Sequence, residues 1–178
     1  YEFNDIVTLD NVINAIQRAE MVMKIVDEVQ RGISELGQDG RLISMQLEEL
    51  VGGLEREELF IIKDYLCRET NKTEIIKLPY EELLKTSSIA RALGYDNFDN
   101  YDEVGVYTRG YRILSKIPRV PNNIVENLVK SFDSFQHILD ADIPELDEVE
   151  GIGEVRAKTI KQSLKRMQEQ FVFDNALI

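Results

Sequence analysis

Two stretches of the chain, 114–128 and 146–160, repeat one another at an offset of 32 residues, and this repeat constrains the fold more than any other feature. Leu114, Ile117, Val120 and Leu128 fall on Leu146, Val149, Ile152 and Ile160, with Val125 on Ala157. In each copy an apolar helical pattern stops at a tight turn and resumes, so the unit is helix, turn, helix. The second copy carries Gly151-Ile152-Gly153 at its turn. Glycines there allow backbone angles closed to other residues and let a large partner approach the main chain. Beyond them a helix begins, whose first N–H groups lack intrahelical acceptors and carry the positive end of the helix dipole. A phosphate oxygen suits that geometry. Arg156, Lys158 and Lys161 follow within two turns and are expected to reach the same backbone. In the first copy Arg119 stands for Gly151 and Pro121 for Gly153, which argues against direct backbone–phosphate contact at that turn.

Upstream, residues 9–36 read as one amphipathic helix, with Leu9, Val12, Ile13, Ile16, Met23, Val26, Val29, Ile33 and Leu36 at three- and four-residue spacing. Gly37 and Asp39-Gly40 punctuate it as a C-cap and turn do. A second helical pattern runs from Leu42 to Leu66, and Gly52-Gly53 predicts a bend or break within it. Helices of this size are roughly 42 Å long at about 1.5 Å per residue, so the pair predicts a long antiparallel hairpin. Its apolar stripe is wider than a heptad seam, which favours packing within the chain. A third helix is expected over Tyr80–Leu93. The polar, turn-rich stretch 95–105 reads as a linker. The fold class is all-α: a helical spine over 1–94, a double helical hairpin over 106–172, and a tail over 173–178.

Charge separates these parts. The chain has 178 residues and net charge −12. Residues 1–108 hold 11 cations and 22 acids, net −11, whereas 109–178 hold 10 and 11, net −1. Arg109, Arg112, Lys116 and Arg119 form an acid-free basic run, and 151–170 is locally basic, so the acidic total conceals two cationic patches. One cysteine and one histidine exclude a disulfide within the chain, Cys-rich zinc modules and His-cluster metal sites. No apolar run approaches the ~20 residues of a membrane span. The first residue is Tyr1, not Met, which suggests a piece of a longer polypeptide.

The pattern Leu-x-x-Val-x-Gly-Ile-Gly-x-x-x-Ala-x-x-Ile, from Leu146 to Ile160, resembles the helix-hairpin-helix motif, which binds DNA phosphates without reading sequence. More broadly, Arg109–Pro121 and Glu145–Lys158 resemble the C-terminal domain of the bacterial DNA integrity scanning family of diadenylate cyclases, DisA. Glu20-Met21-Val22 and Glu35-Leu36-Gly37 are similar to that family's central spine. The resemblance implies non-sequence-specific binding of branched DNA. Gly151, Ile152, Gly153 and Arg156 would lie on phosphates, with Lys158, Lys161, Arg109, Arg112 and Arg119 as charge support. It also implies a monovalent cation on the backbone carbonyls of Asp147, Val149 and Ile152. In the family an N-terminal domain condenses two ATP into cyclic di-AMP with Mg²⁺ or Mn²⁺, within an octamer, and DNA binding lowers that activity. The family's Asp-Gly-Ala and Arg-His-Arg motifs have no counterpart in this sequence: His137 lies between Gln136 and Ile138, and the sole Asp-Gly precedes Arg41. This chain is therefore expected not to be an enzyme and to need no cofactor, while a parent protein would sit in the bacterial cytoplasm, at the nucleoid.

Competing readings are weaker. A helix-hairpin-helix glycosylase-lyase places its catalytic lysine two residues after the second hairpin glycine, where this chain has Val155. No phosphate-binding Gly-x-x-x-x-Gly-Lys loop exists. Glu48/Glu49, Glu57/Glu58 and Glu81/Glu82 are adjacent pairs, whose side chains diverge by about 100° on a helix, so they read as solvated faces rather than acid–base dyads. His137 is expected in a structural or surface role, with a phosphate contact as the minority view. Cys67 is expected in a core or boundary position and Tyr111 in packing, with base stacking by Tyr1, Tyr107 or Tyr111 as the minority view. The alternative from another class is an interaction or oligomerisation scaffold whose hairpins only pack.

Overall fold

The structure is a computed structural model that describes residues 7–67, 73–96 and 98–176. It divides into two compact units, with the boundary between Val106 and Tyr107. The all-α class holds, since strand is confined to the antiparallel pair β1 (Val7–Thr8) and β2 (Gly105–Val106) among the described residues.

In the first unit α1 (Leu9–Ile33) begins at Thr8, whose hydroxyl accepts the Asn11 N–H, and the chain turns back through a short 3-10 segment into α2 (Gly37–Tyr65). Gly37 takes φ +67° at this turn, and a Cβ on Gly40 would overlap the Ile33 carbonyl, so the reversal requires both glycines. The expected hairpin is therefore present. Its predicted break at Gly52-Gly53 is not: α2 is helical from Gly37 to Tyr65. Two glycines weaken a helix by about 1 kcal/mol each, and the continuous hydrogen-bonded ladder on either side carries the helix through them.

The core lies at the open end of the hairpin. Leu9, Val12, Ile13 and Ile16 pack against Ile61, Ile62 and Tyr65, and the later helices close over them. Towards the turn, Val22, Ile25 and Val29 of α1 and Leu42, Ile43 and Leu50 of α2 stay exposed, so the stripe is only partly satisfied within the chain. The expected third helix is split. After α3 (Thr73–Ile76) come α4 (Tyr80–Leu83) and α5 (Thr86–Ala92), separated at Lys85, whose extended backbone breaks the ladder. Glu82 staples the break by accepting the Ser88 hydroxyl at 2.5 Å and the Lys85 ammonium at 2.9 Å. The Ser88 bond first, then Lys85, holds the Glu82 carboxyl below its ordinary range.

The segment expected to be a linker, 95–105, instead belongs to this unit. The Tyr95 hydroxyl donates to the Tyr65 carbonyl, Leu9 N–H donates to the Val104 carbonyl, and Val7 pairs with Val106. Its polar composition hid Tyr95, Tyr101 and Val104, each of which packs on the core. Cys67, expected in a core or boundary position, is exposed.

The second unit contains α6 (Tyr111–Leu114), α7 (Asn122–Ser131), α8 (Phe135–Asp140), α9 (Ile143–Asp147) and α10 (Glu154–Ala176). The repeat residues meet in one core: Leu114, Ile117, Val125 and Leu128 from the first copy, and Leu146, Val149, Ala157 and Ile160 from the second. Phe135 and Ile138 of α8 share this core. The last helix continues through 173–176, so the expected tail is largely helical.

Glu20 and Glu58 form a buried acidic pair between α1 and α2, 5% and 3% exposed. Burial, then the hydrogen bond and charge of Glu20, push the Glu58 carboxyl from 4.5 up to about 9. Between those values the unfolded chain releases a proton that the folded chain keeps. Stability should therefore fall as pH rises from 4.5 to about 9 and level off above it. Glu58→Gln, which resembles the protonated carboxyl in shape, should flatten that slope in chemical denaturation across the same range. Independently, Gly52→Ala and Gly53→Ala meet nothing within 4 Å. Each should stabilise the unit by up to about 1 kcal/mol, read as a higher denaturation midpoint.

Candidate nucleic-acid interface

The two helical hairpins share backbone hydrogen bonds on both sides of the turn at the 32-residue offset. Ile117 N–H donates to the Leu114 carbonyl at 3.1 Å, and Val149 N–H to Leu146 at 3.2 Å. After each turn, Val125 N–H donates to Pro121 at 3.2 Å, and Ala157 N–H to Gly153 at 2.9 Å. The turn itself needs a left-handed residue. Gly151 takes φ +82°, and its counterpart Arg119 takes φ +64°, alone among the described non-glycine residues. Such a conformation costs a residue with a Cβ about 1–2 kcal/mol.

The second turn is the more tightly built. Asp142 caps α9 in a capping box with Glu145, at 2.9 and 2.8 Å. Ile152 N–H closes the turn on the Val149 carbonyl at 3.0 Å, and the Ile152 side chain is buried in the core. Asn127 of α7 donates to the Glu150 carbonyl at 2.9 Å, so the first hairpin braces the second.

The two glycines have different jobs. The left-handed backbone angle of Gly151 favours glycine, and a Cβ there would also come within 2.6 Å of Ile124 Cδ1, which would have to shift. Gly153 has neither constraint: its φ is not left-handed, and a Cβ there meets nothing within 4 Å. It sits exposed at the N-terminus of a 23-residue helix. The amides of Glu154, Val155 and Arg156 precede the first intrahelical bond, so they point out of the helix end with its positive dipole. In the first copy Pro121 fills the corresponding position and has no N–H to offer.

The cations are unequally placed. Lys158 is exposed on the first turns of α10 and bridges to Glu154 at 2.9 Å. Lys158, through its hydrogen bond and then its charge, holds the Glu154 carboxyl below the usual range. Arg156 folds back and donates to the Gly151 carbonyl at 2.7 Å, bracing the turn with one of its guanidinium's five N–H donors. Lys161, expected as charge support, is committed elsewhere. Its ammonium donates to the Leu139 carbonyl at 2.7 Å and to the Ala141 carbonyl, satisfying the C-terminal end of α8. Arg119 is exposed on the first turn, while Arg109 and Arg112 are half-buried and already hold partners.

The remaining side chains separate simply. Tyr111 is half-buried and donates to Glu126 at 3.3 Å, as packing predicted, whereas Tyr107 is exposed and Tyr1 lies outside the described residues. His137 is at the surface, 4.0 Å from Asp133. No group of three His, Cys, Asp or Glu suited to a metal occurs among the described residues.

Known proteins fit both units. A family profile described as the DisA bacterial checkpoint controller linker region matches residues 1–101, and a SAM-like helix-hairpin-helix tandem matches 111–166. The chain belongs to the DisA family. Proteins named DNA integrity scanning protein DisA are similar to it throughout. One from Acetivibrio thermocellus is 50% identical over 98% of this chain and 50% of its own length. Another, from Carboxydothermus hydrogenoformans, is 51% identical over 95% and 50%, and one from Clostridium botulinum is 48% identical over 99% and 51%. The chain thus spans about half the length of these DisA relatives.

Removing the left-handed strain at Arg119 should help the fold, and adding it at residue 151 should harm it. Arg119→Gly is expected to raise stability by up to about 1 kcal/mol, and Gly151→Ala to lower it by about 1–2 kcal/mol or more, both read from urea unfolding.

Proposed function

We propose that the second unit binds DNA through the phosphate backbone, without reading sequence, at the N-terminal end of α10. The observation that carries this is Gly153. Neither packing nor backbone angle requires a glycine there, and Ser, Asp or Asn would cap the helix at least as well. A phosphate approaching the helix end favours glycine, because any side chain would stand in its path. Lys158 lies beside that end, Arg156 braces it, and Gly151 with Ile152 sets its angle. Arg119 supplies charge from the first turn. Lys161, Arg109 and Arg112 support the architecture first and the electrostatic field second. The names of the DisA relatives, which scan DNA integrity, agree with this reading.

The finer parts of the reading come from the family. The preferred DNA is branched, the parent protein is an octameric diadenylate cyclase using ATP with Mg²⁺ or Mn²⁺, and DNA occupancy lowers its synthase activity. The described residues include no span long and apolar enough for a membrane helix. The Asp147, Val149 and Ile152 carbonyls would hold a monovalent cation between the turn and a phosphate. The Val149 carbonyl already accepts the Ile152 N–H at 3.0 Å, so it would use its second lone pair.

Binding to a labelled four-way junction and a matched linear duplex across a salt series tests this. Gly153→Val should weaken binding to both DNAs and all sequences by about tenfold or more, because the contacts carry no base information, while lowering stability by no more than about 1 kcal/mol, the cost of valine at a helix N-cap. Lys158→Ala should lower the log–log salt slope by close to one, whereas Lys161→Ala should cost stability and leave the slope nearly intact. Glu154→Gln should tighten binding, since it removes an acid from the phosphate's path and releases Lys158. Retained affinity in Gly153→Val would overturn the assignment.

A further inference from the structure

Between α1, α2 and α4 of the first unit lies a cavity of about 780 Å³ that the DNA reading leaves unused. From α1 it is lined by Glu20, Lys24, Asp27, Glu28 and Arg31, from α2 by Glu55 and Glu58, and from α4 by Tyr80. Arg31 is bound to Asp27 at 2.8 Å, and the wall as a whole sets five carboxyls against two cations. Glu20 and Glu58 are more than nine-tenths buried, yet each keeps one oxygen, Oε1, without a hydrogen-bond partner. The proton that Glu58 keeps supplies one donor, shared with Glu20, and one donor cannot serve all the oxygens of two buried carboxyls, so the pair has acceptor capacity left over. The rim is apolar: Ile25 and Leu59 are 54% and 40% exposed.

We infer that this cavity receives the guanidinium of an arginine side chain presented by a partner polypeptide, held between Glu20 and Glu58. A planar fork of N–H donors can serve both carboxyls at once, which a lysine ammonium does less well. The methylene stem of the arginine would lie along Met23, Ile25 and Leu59, and the exposed Tyr80 ring offers a face to the cation. A metal ion fits less well, since no cluster of three ligating side chains is present among the described residues. The net negative wall selects a cation, and the apolar rim selects one carried on a chain rather than a hydrated ion.

Entry of the guanidinium has a proton balance. Glu58 holds its proton to about pH 9, so at neutral pH the arriving charge displaces that proton to solvent. Affinity should then rise about tenfold per pH unit below that value, the slope of a single proton released. Lys24, Asp27, Glu28 and Arg31 of α1, Glu55 of α2 and Tyr80 of α4 face the same cavity.

Calorimetric titration of the full chain with acetyl-Gly-Arg-Gly amide tests the site, in buffers of different ionisation heat. The expected result is one site, release of close to one proton, and the corresponding pH slope. The Lys tripeptide should bind about tenfold more weakly. Glu20→Gln and Glu58→Gln should each weaken the arginine peptide at least about tenfold, and Glu58→Gln should abolish proton release. Because Glu58→Gln is expected to fold at least as well as the parent at pH 8, loss of binding in it reports the site. Absent binding, binding unchanged in both variants, or agmatine binding more tightly than the peptide would each overturn the inference.

Discussion

A single backbone requirement organises the second unit: each hairpin turn needs one left-handed residue. Where that residue is Gly151, the turn is relaxed, Ile152 drops into the core, and α10 starts with its amides directed outward. Where it is Arg119, the same geometry is kept at the expense of backbone strain, between Pro118 and Pro121. Pairs of hydrogen bonds 32 residues apart show that the strain has not shifted the hairpin. The first copy has therefore kept the shape of the motif while replacing the glycine at the helix start with Pro121, whose ring stands where Gly153 leaves space and which offers no N–H. It serves as the brace on which Asn127 holds the second turn through the Glu150 carbonyl. Strain of this kind persists where the surroundings over-determine the conformation, and the shared core of Leu114, Val125, Leu146 and Ile160 supplies that determination.

How much of this was legible in the residues depended on whether the signal was local. The repeat, the core positions and the helical hairpin follow from spacing alone, because three- and four-residue periodicity survives any tertiary arrangement. The split at Lys85 and the uninterrupted α2 did not follow. The first turns on the bond from Ser88 to Glu82, and the second on a ladder strong enough to pass Gly52-Gly53. Segment 95–105 was misjudged for a similar reason. Its polar residues outnumber Tyr95, Tyr101 and Val104, yet those few make the contacts that bind it.

The site residues divide the same way. Gly151 and Gly153 look alike in sequence and separate only when the space around each is known. Lys161 illustrates a signal that was present and unread: it stands four residues after buried Ala157 and one after buried Ile160, at the edge of the core-facing stripe. A cation in that position finds carbonyls at the end of a neighbouring helix before it finds solvent. Counting cations near a motif therefore overstates its charge, and the useful count is of those not already held by main-chain oxygens.

That count bears on how a unit of nearly neutral charge would hold DNA at all. Around the second turn one exposed ammonium, one helix N-terminus and a partly engaged guanidinium are available, and Glu154 offsets part of their field. Each phosphate contact contributes about one unit of salt slope, so a lone unit has few to spend and its affinity falls steeply as salt rises. Presenting several units together changes this without any new contact, because the second binding event becomes intramolecular. A weak individual hairpin is then an advantage. Under the proposed function it would hold an isolated duplex weakly and DNA whose arms engage several copies at once more tightly. Under the proposed function, preference for branched DNA would need no chemistry that reads a branch; it would follow from geometry and from the modest strength of each contact.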